Sequence, residues 1–64
     1  MFVKVMNINP GWKEEETYVN ITKITHWYYN VTGNYYIVHL SSNSCIYVDQ
    51  EDMRKLRSYM DIRQ

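Results

Sequence analysis

The sequence holds one cysteine, one proline, two glycines and a single phenylalanine in 64 residues, and its seven basic side chains are balanced by seven acidic ones. Each scarcity closes off a class of protein. Cys45 alone cannot form an internal disulfide, and with His26 and His39 it lacks the paired ligand spacing of a zinc site, so neither a metal nor another cofactor is expected. Gly11 and Gly33 lie in neither a Walker nor a dinucleotide-type strand-to-helix turn, which excludes phosphate loops of those kinds. A net charge of zero supplies no broad positive field to release counterions from a phosphate backbone, so nucleic acid is a disfavoured partner and duplex binding especially so. No apolar run approaches the length of a membrane span, and Met1 to Asn9 shows neither a basic n-region nor an apolar h-region. The expected location is therefore cytoplasmic, with no membrane contact.

Shortness itself constrains the fold. A chain of this length buries about 60% of the surface its unfolded form exposes, enough for one core, so residues 1–64 are expected to form a single domain. With disulfide and metal unavailable, association is the remaining support, and a protein partner or a homo-oligomer is expected. The composition agrees: aromatic residues make up 16% of the chain, and Tyr, Trp and Met are types that protein interfaces favour.

Along the chain, Met1 to Ile8 alternates Phe2, Lys4, Met6 and Ile8 against Val3, Val5 and Asn7, the pattern of a strand with one buried face. Asn9-Pro10-Gly11 opens a polar loop through Trp12 and the solvated acidic run Glu14 to Glu16. Thr17 to Ile21 reads as a short strand, Thr22-Lys23 as a kink, and Ile24 to Tyr29 as a further strand. Asn30 to Asn34 carries the residues of a hairpin loop, and Tyr35 to Leu40 returns. A five-residue loop sets Tyr29 opposite Tyr35. It would place Ile24, His26, Tyr28, Tyr36, Val38 and Leu40 on one face and Thr25, Trp27, Tyr29, Tyr35, Ile37 and His39 on the other; a loop one residue shorter exchanges the partners. Ser41 to Ser44 is a second turn and Cys45 to Val48 a last strand. Asp49 is a favourable helix N-cap, Gln50, Glu51 and Asp52 suit a first turn, and Met53, Leu56 and Met60 lay an apolar stripe along a helix from about Gln50 to Met60, with Glu51 and Lys55 spaced to pair. Asp61 to Gln64 reads as a frayed end. The expected class is α+β: a small antiparallel sheet of four to five strands followed by one C-terminal helix.

Several possible chemistries have plainer explanations. The sequons Asn20-Ile21-Thr22 and Asn30-Val31-Thr32 matter only in a secreted chain. Cys45 with His39 is the one conceivable nucleophile and base, but a lone strand cysteine is far more often a small buried apolar residue, and a chain this short scarcely encloses a catalytic pocket. No enzyme is expected. His26 and His39 could meet across the hairpin as a pH-sensitive pair, with two ordinary surface histidines as the commoner outcome. Arg54, Lys55 and Arg57 form a small basic patch of the kind that usually just faces solvent.

The layout resembles the FlbD-type small proteins found with bacterial flagellar genes, and the looser set of short bacterial and phage proteins that share it. The residues carrying the resemblance are Met1-Phe2-Val3-Lys4-Val5, Tyr18-Val19-Asn20-Ile21 with Ile24, Tyr36-Ile37-Val38-His39-Leu40-Ser41, and Ile46-Tyr47-Val48 with Glu51 leading the helix. One departure is Ser42-Asn43-Ser44, where that family tends to carry glycine. The resemblance implies a small non-enzymatic regulator or accessory protein and transfers no site residues. A short chain rich in tyrosine, asparagine and isoleucine also has the style of phage or mobile-element proteins that block host machinery.

What rises above background is the hairpin's rings. His26, Trp27, Tyr28, Tyr29, Tyr35 and Tyr36, with Trp12 from the preceding loop, form the expected interaction surface, because one face of a small sheet suffices to pack a helix and something must cover the other. Core packing beneath the Trp12 loop, a protein surface, or stacked bases of single-stranded nucleic acid could each do so.

Overall fold

Alternation along the first strand sorts its side chains: β1 (Phe2–Asn7) buries Val3 and Val5 and turns Phe2, Lys4 and Met6 outward. The computed structural model describes residues 1–11 and 13–60. Expectations for Trp12 and for the tail Asp61 to Gln64 therefore lie outside the described residues. Gly11 takes φ +80° in the turn after β1, a left-handed conformation that glycine adopts without a Cβ penalty. The chain then returns as β2 (Glu15–Asn20), antiparallel to β1 with Val3 opposite Val19 and Val5 opposite Thr17. This strand begins two residues earlier than its β-branched composition suggested, because pairing with β1 recruits Glu15 and Glu16.

The expected kink is a single 3-10 turn, Ile21–Lys23. Asn20 caps it: its side-chain oxygen accepts from the Thr22 backbone N–H at 3.1 Å and from the Thr22 hydroxyl at 2.8 Å. β3 (Ile24–Asn30), β4 (Tyr35–Leu40) and β5 (Cys45–Val48) follow as an antiparallel meander. Asn30 performs a similar service in the β3–β4 loop by accepting from the Gly33 N–H at 2.9 Å. Both sequon asparagines thus hold turns.

Among the described residues five strands are present, within the four to five expected, but they form two sheets, β1-β2 and β3-β4-β5, rather than one. The sheets meet at a corner: Ile8 N–H donates to Tyr47 C=O at 2.8 Å, and Tyr47 N–H donates to the Asn7 side-chain oxygen at 3.0 Å.

The hairpin register also differs from the expected one. Tyr29 faces Tyr36 and Asn30 faces Tyr35, so the loop has four residues, Val31 to Asn34. Asn34 adopts φ +61°, a left-handed conformation that asparagine tolerates better than most residues, and this closes the shorter loop. The exchange moves Trp27, Tyr29, Tyr36 and Val38 to one face and His26, Tyr28, Tyr35, Ile37 and His39 to the other. Near the start of β3 a bulge between Ile24 and His26 returns Ile24 to the same side as Leu40. In the β4–β5 turn Asn43 takes φ +68°, supplying the conformation for which glycine would otherwise be suited.

Helix α1 (Gln50–Met60) starts where expected, with the Asp49 carboxylate accepting from the Asp52 N–H at 2.9 Å. Its buried residues Met53 and Leu56 pack on Val3, Val5, Val19, Val38, Ile46 and Val48, with Ile24, Trp27, Tyr36, Leu40 and Met60 at the margin. The helix also seals a strand edge. Asp52 accepts from the Met6 backbone N–H at 2.8 Å, and Lys55 donates to the Lys4 C=O at 2.7 Å, so the side of β1 turned away from β2 is capped by side chains. Lys55 takes this role in place of the pairing with Glu51 that their spacing suggested.

Candidate functional site

Because α1 covers only the inner side of β3-β4-β5, the opposite side is left as a sheet face with no element packed on it among the described residues. Strict alternation decides which side chains reach it. From β3 come His26, Tyr28 and Asn30; from β4, Tyr35, Ile37 and His39; and from β5, Cys45 and Tyr47. None carries a carboxylate, ammonium or guanidinium group.

The rings pair across strands. His26 and His39 stack with centroids 4.5 Å apart, Tyr28 lies 5.5 Å from His39, and Tyr35 meets Tyr47 edge to face at 5.3 Å. These spacings are those of favourable aromatic pairs. The Tyr28 hydroxyl is 3.4 Å from His39 Nε2, and the Thr25 hydroxyl lies 3.0 Å from His26 Nδ1. Beneath them Ile37 is almost fully buried. Gly33 makes room at one end: a Cβ there would fall 1.9 Å from the Tyr35 ring.

Tyr47 also has a particular electrostatic setting. Cys45, two residues back on the same face, holds its hydroxyl above the ordinary phenol value of 10.0, first because a thiolate there opposes a phenolate. A side-chain hydrogen bond to Cys45, partial burial and the Tyr35 and Tyr28 hydroxyls act in the same direction.

The expected interaction surface is accordingly divided. His26, Tyr28 and Tyr35 share the open face. Trp27 and Tyr36 turn inward against the core margin, and Tyr29 leans on Tyr36 at 5.0 Å while its hydroxyl donates to Asn34 Oδ1. Trp12 lies outside the described residues. His39 and Tyr47 join the face without having been counted in it; the alternation of Cys45 and Tyr47 with the apolar Ile46 and Val48 was the available signal for Tyr47.

Cys45 and His39 are cross-strand partners, yet His39 Nε2 lies 3.4 Å from the Tyr28 hydroxyl and makes no hydrogen bond to the thiol. Among the described residues, no three His, Cys, Asp or Glu side chains converge as metal ligands do, and no helix is long and apolar enough to cross a membrane.

Two further surfaces carry exposed features. On the outward side of β1-β2, Phe2 is 65% and Tyr18 63% exposed, beside a Lys4–Glu16 ion pair at 3.6 Å. Where α1 passes β4, a groove is lined by Tyr36, Gln50, Met53, Arg54 and Arg57.

Compared with known proteins, the chain matches no family model, no curated protein and no solved structure.

Proposed function

We propose that this chain is a non-enzymatic interaction protein that works by occupying the surface of another protein with the open face of β3-β4-β5. The observation that carries this reading is the face itself: His26, Tyr28, Tyr35, His39 and Tyr47 stand on a three-stranded sheet whose other side already holds the helix. Rings of this kind bring large contact area with few rotatable bonds, and their hydroxyl and imidazole tips satisfy partner hydrogen bonds without the cost of burying a charge. An accessory or inhibitory role in a bacterium or phage, in keeping with the FlbD-type layout, belongs to the same reading.

The test is in-cell photo-cross-linking with a photoreactive residue at Tyr47, on the face, and at Ser58, exposed on the helix. The reading expects a discrete cross-linked protein from position 47 that Tyr28→Ala diminishes, and nothing comparable from position 58. Equal labelling from both positions would remove the support for this face.

A second reading has one observation in its favour. Arg54 and Arg57 border the groove beside Tyr36, against which Tyr29 lies tilted, so the groove could hold the phosphate and base of single-stranded nucleic acid or of a small phosphorylated ligand. Quenching of tryptophan fluorescence by short single-stranded oligonucleotides, weakening steeply with salt and lost in Arg54→Gln/Arg57→Gln, would favour it.

A further inference from the structure

We infer that the free edge of β3 pairs with β3 of a second copy, antiparallel about a two-fold axis at Tyr28, so that two three-stranded sheets become one of six strands. This rests on the interaction reading above, since it names one occupant for part of the same surface.

The strand edges differ in how far they are closed. The side of β1 away from β2 is closed by Asp52, Lys55 and the Ile8–Tyr47 link, and β5 is closed by the same link. β2 has an open edge, but Glu15 and Glu16 lie within it, and charged side chains on an edge oppose pairing. β3 is the other open edge among the described residues. Its seven residues, Ile24–Asn30, include no charge and no proline, and its bulge lies between Ile24 and His26, outside the Trp27–Tyr29 stretch, so that stretch carries none of the devices that keep edges apart. The chain's zero net charge adds no long-range repulsion between copies.

Hydrogen-bond direction fixes the register. Ser41 N–H donates inward to Lys23 C=O, while Leu40 N–H donates to Ser44 C=O on the β5 side. Odd-numbered residues of β4 thus address β3, and their partners His26, Tyr28 and Asn30 address β4 in return. Trp27 and Tyr29 are left with N–H and C=O directed outward. Pairing Trp27 with Tyr29 of the second copy, and the reverse, exchanges both bonds of each pair. The two Tyr28 side chains then stand directly opposite each other on the open face, in the close non-hydrogen-bonded position. Tyr28 is 50% exposed in the single chain, and this arrangement covers it. An interface built from one edge and its flanking rings falls at the small end of the known range, below roughly 1,200 Å² in total, so the dimer should depend on concentration.

Sedimentation velocity over a concentration series tests this with the wild-type chain, Tyr28→Lys, Tyr28→Asp and an equimolar mixture of the two variants; Tyr59→Lys, on the helix, is the control. The expected result is a dimer in the wild type and in the control, monomers in each Tyr28 variant, and a restored dimer in the mixture, because opposite charges then meet across the axis. A wild type that stays monomeric at every concentration, a Tyr28→Lys chain that still dimerises, or a mixture that fails to pair would each overturn the inference. A monomeric wild type that still cross-links a protein from position 47 leaves the interaction reading standing. A wild-type dimer with no other cross-linked protein would instead count against that reading.

Discussion

His26 and His39 lie face to face across the β3–β4 ladder, ring centroids 4.5 Å apart and planes within 10° of parallel. They are directly opposed partners, and Tyr28 continues the stack on the other side of His39. Cross-strand ring pairs of this type contribute roughly 0.2–1 kcal/mol relative to an alanine pair. A double-mutant cycle of His26→Ala and His39→Ala, measured by chemical denaturation, should therefore give a favourable coupling in that range. Strict additivity of the two substitutions would mean the rings do not meet in solution.

The inner side of the sheet sets the stability. Leu56 is completely buried among the valines of both sheets. Truncating such a leucine costs roughly 2–5 kcal/mol, comparable with the whole stability of a small domain. Leu56→Ala should lose cooperative thermal unfolding at room temperature, as followed by circular dichroism. Tyr59→Ala, half exposed on the same helix, should change the midpoint little.

Asp52 and Lys55 predict a different kind of loss, since they cap strand backbone rather than fill the core. Asp52→Ala leaves the Met6 N–H to water and should cost about 1 kcal/mol, in the range of a net hydrogen bond to a charged group discounted for exposure. Hydrogen exchange at Met6 should quicken in this variant while exchange at Val38 stays slow. Unchanged protection at Met6 would show that Asp52 does not close the edge.

Much of this architecture was legible in the sequence. Asp49 and the Met53, Leu56, Met60 stripe located the helix because a period of 3.6 with a polar cap has few other readings. Strands β3, β4 and β5 were legible from β-branched and aromatic runs bounded by turn residues. The faces were not, because they hinge on a single residue: Asn30 has the composition of a loop, yet its backbone extends the ladder while its side chain caps the loop at Gly33. A one-residue slip exchanges the cross-strand partners, so Tyr36 and Val38 share a face with Trp27 and Tyr29 rather than with His26 and Tyr28. The way the two sheets meet was hidden for another reason, since it depends on the long-range Ile8–Tyr47 contact that no local pattern announces.

Tyr47 supplies a prediction in pH. Its hydroxyl titrates above 10.0, with the Cys45 thiolate as the leading cause, so the fold favours the neutral phenol. By linkage, the stabilisation tied to that phenol is fully present below the unfolded value of about 10 and is lost as pH rises through the raised folded value. Ultraviolet titration of phenolate absorbance should show one late-titrating tyrosine in the wild type. In Cys45→Ser that tyrosine should titrate earlier, and an unchanged curve would assign the shift to something other than Cys45.

The open face of β3-β4-β5 is the centre of the account, and hydroxyl-radical footprinting read by mass spectrometry addresses it most directly. In the dilute purified chain, Tyr28 and Tyr47 should oxidise readily while Trp27 and Tyr36 are shielded. In the complex recovered by cross-linking at position 47, Tyr28 should become protected. Shielding of Tyr28 in the dilute chain, or reactivity that stays the same in the complex, would contradict it.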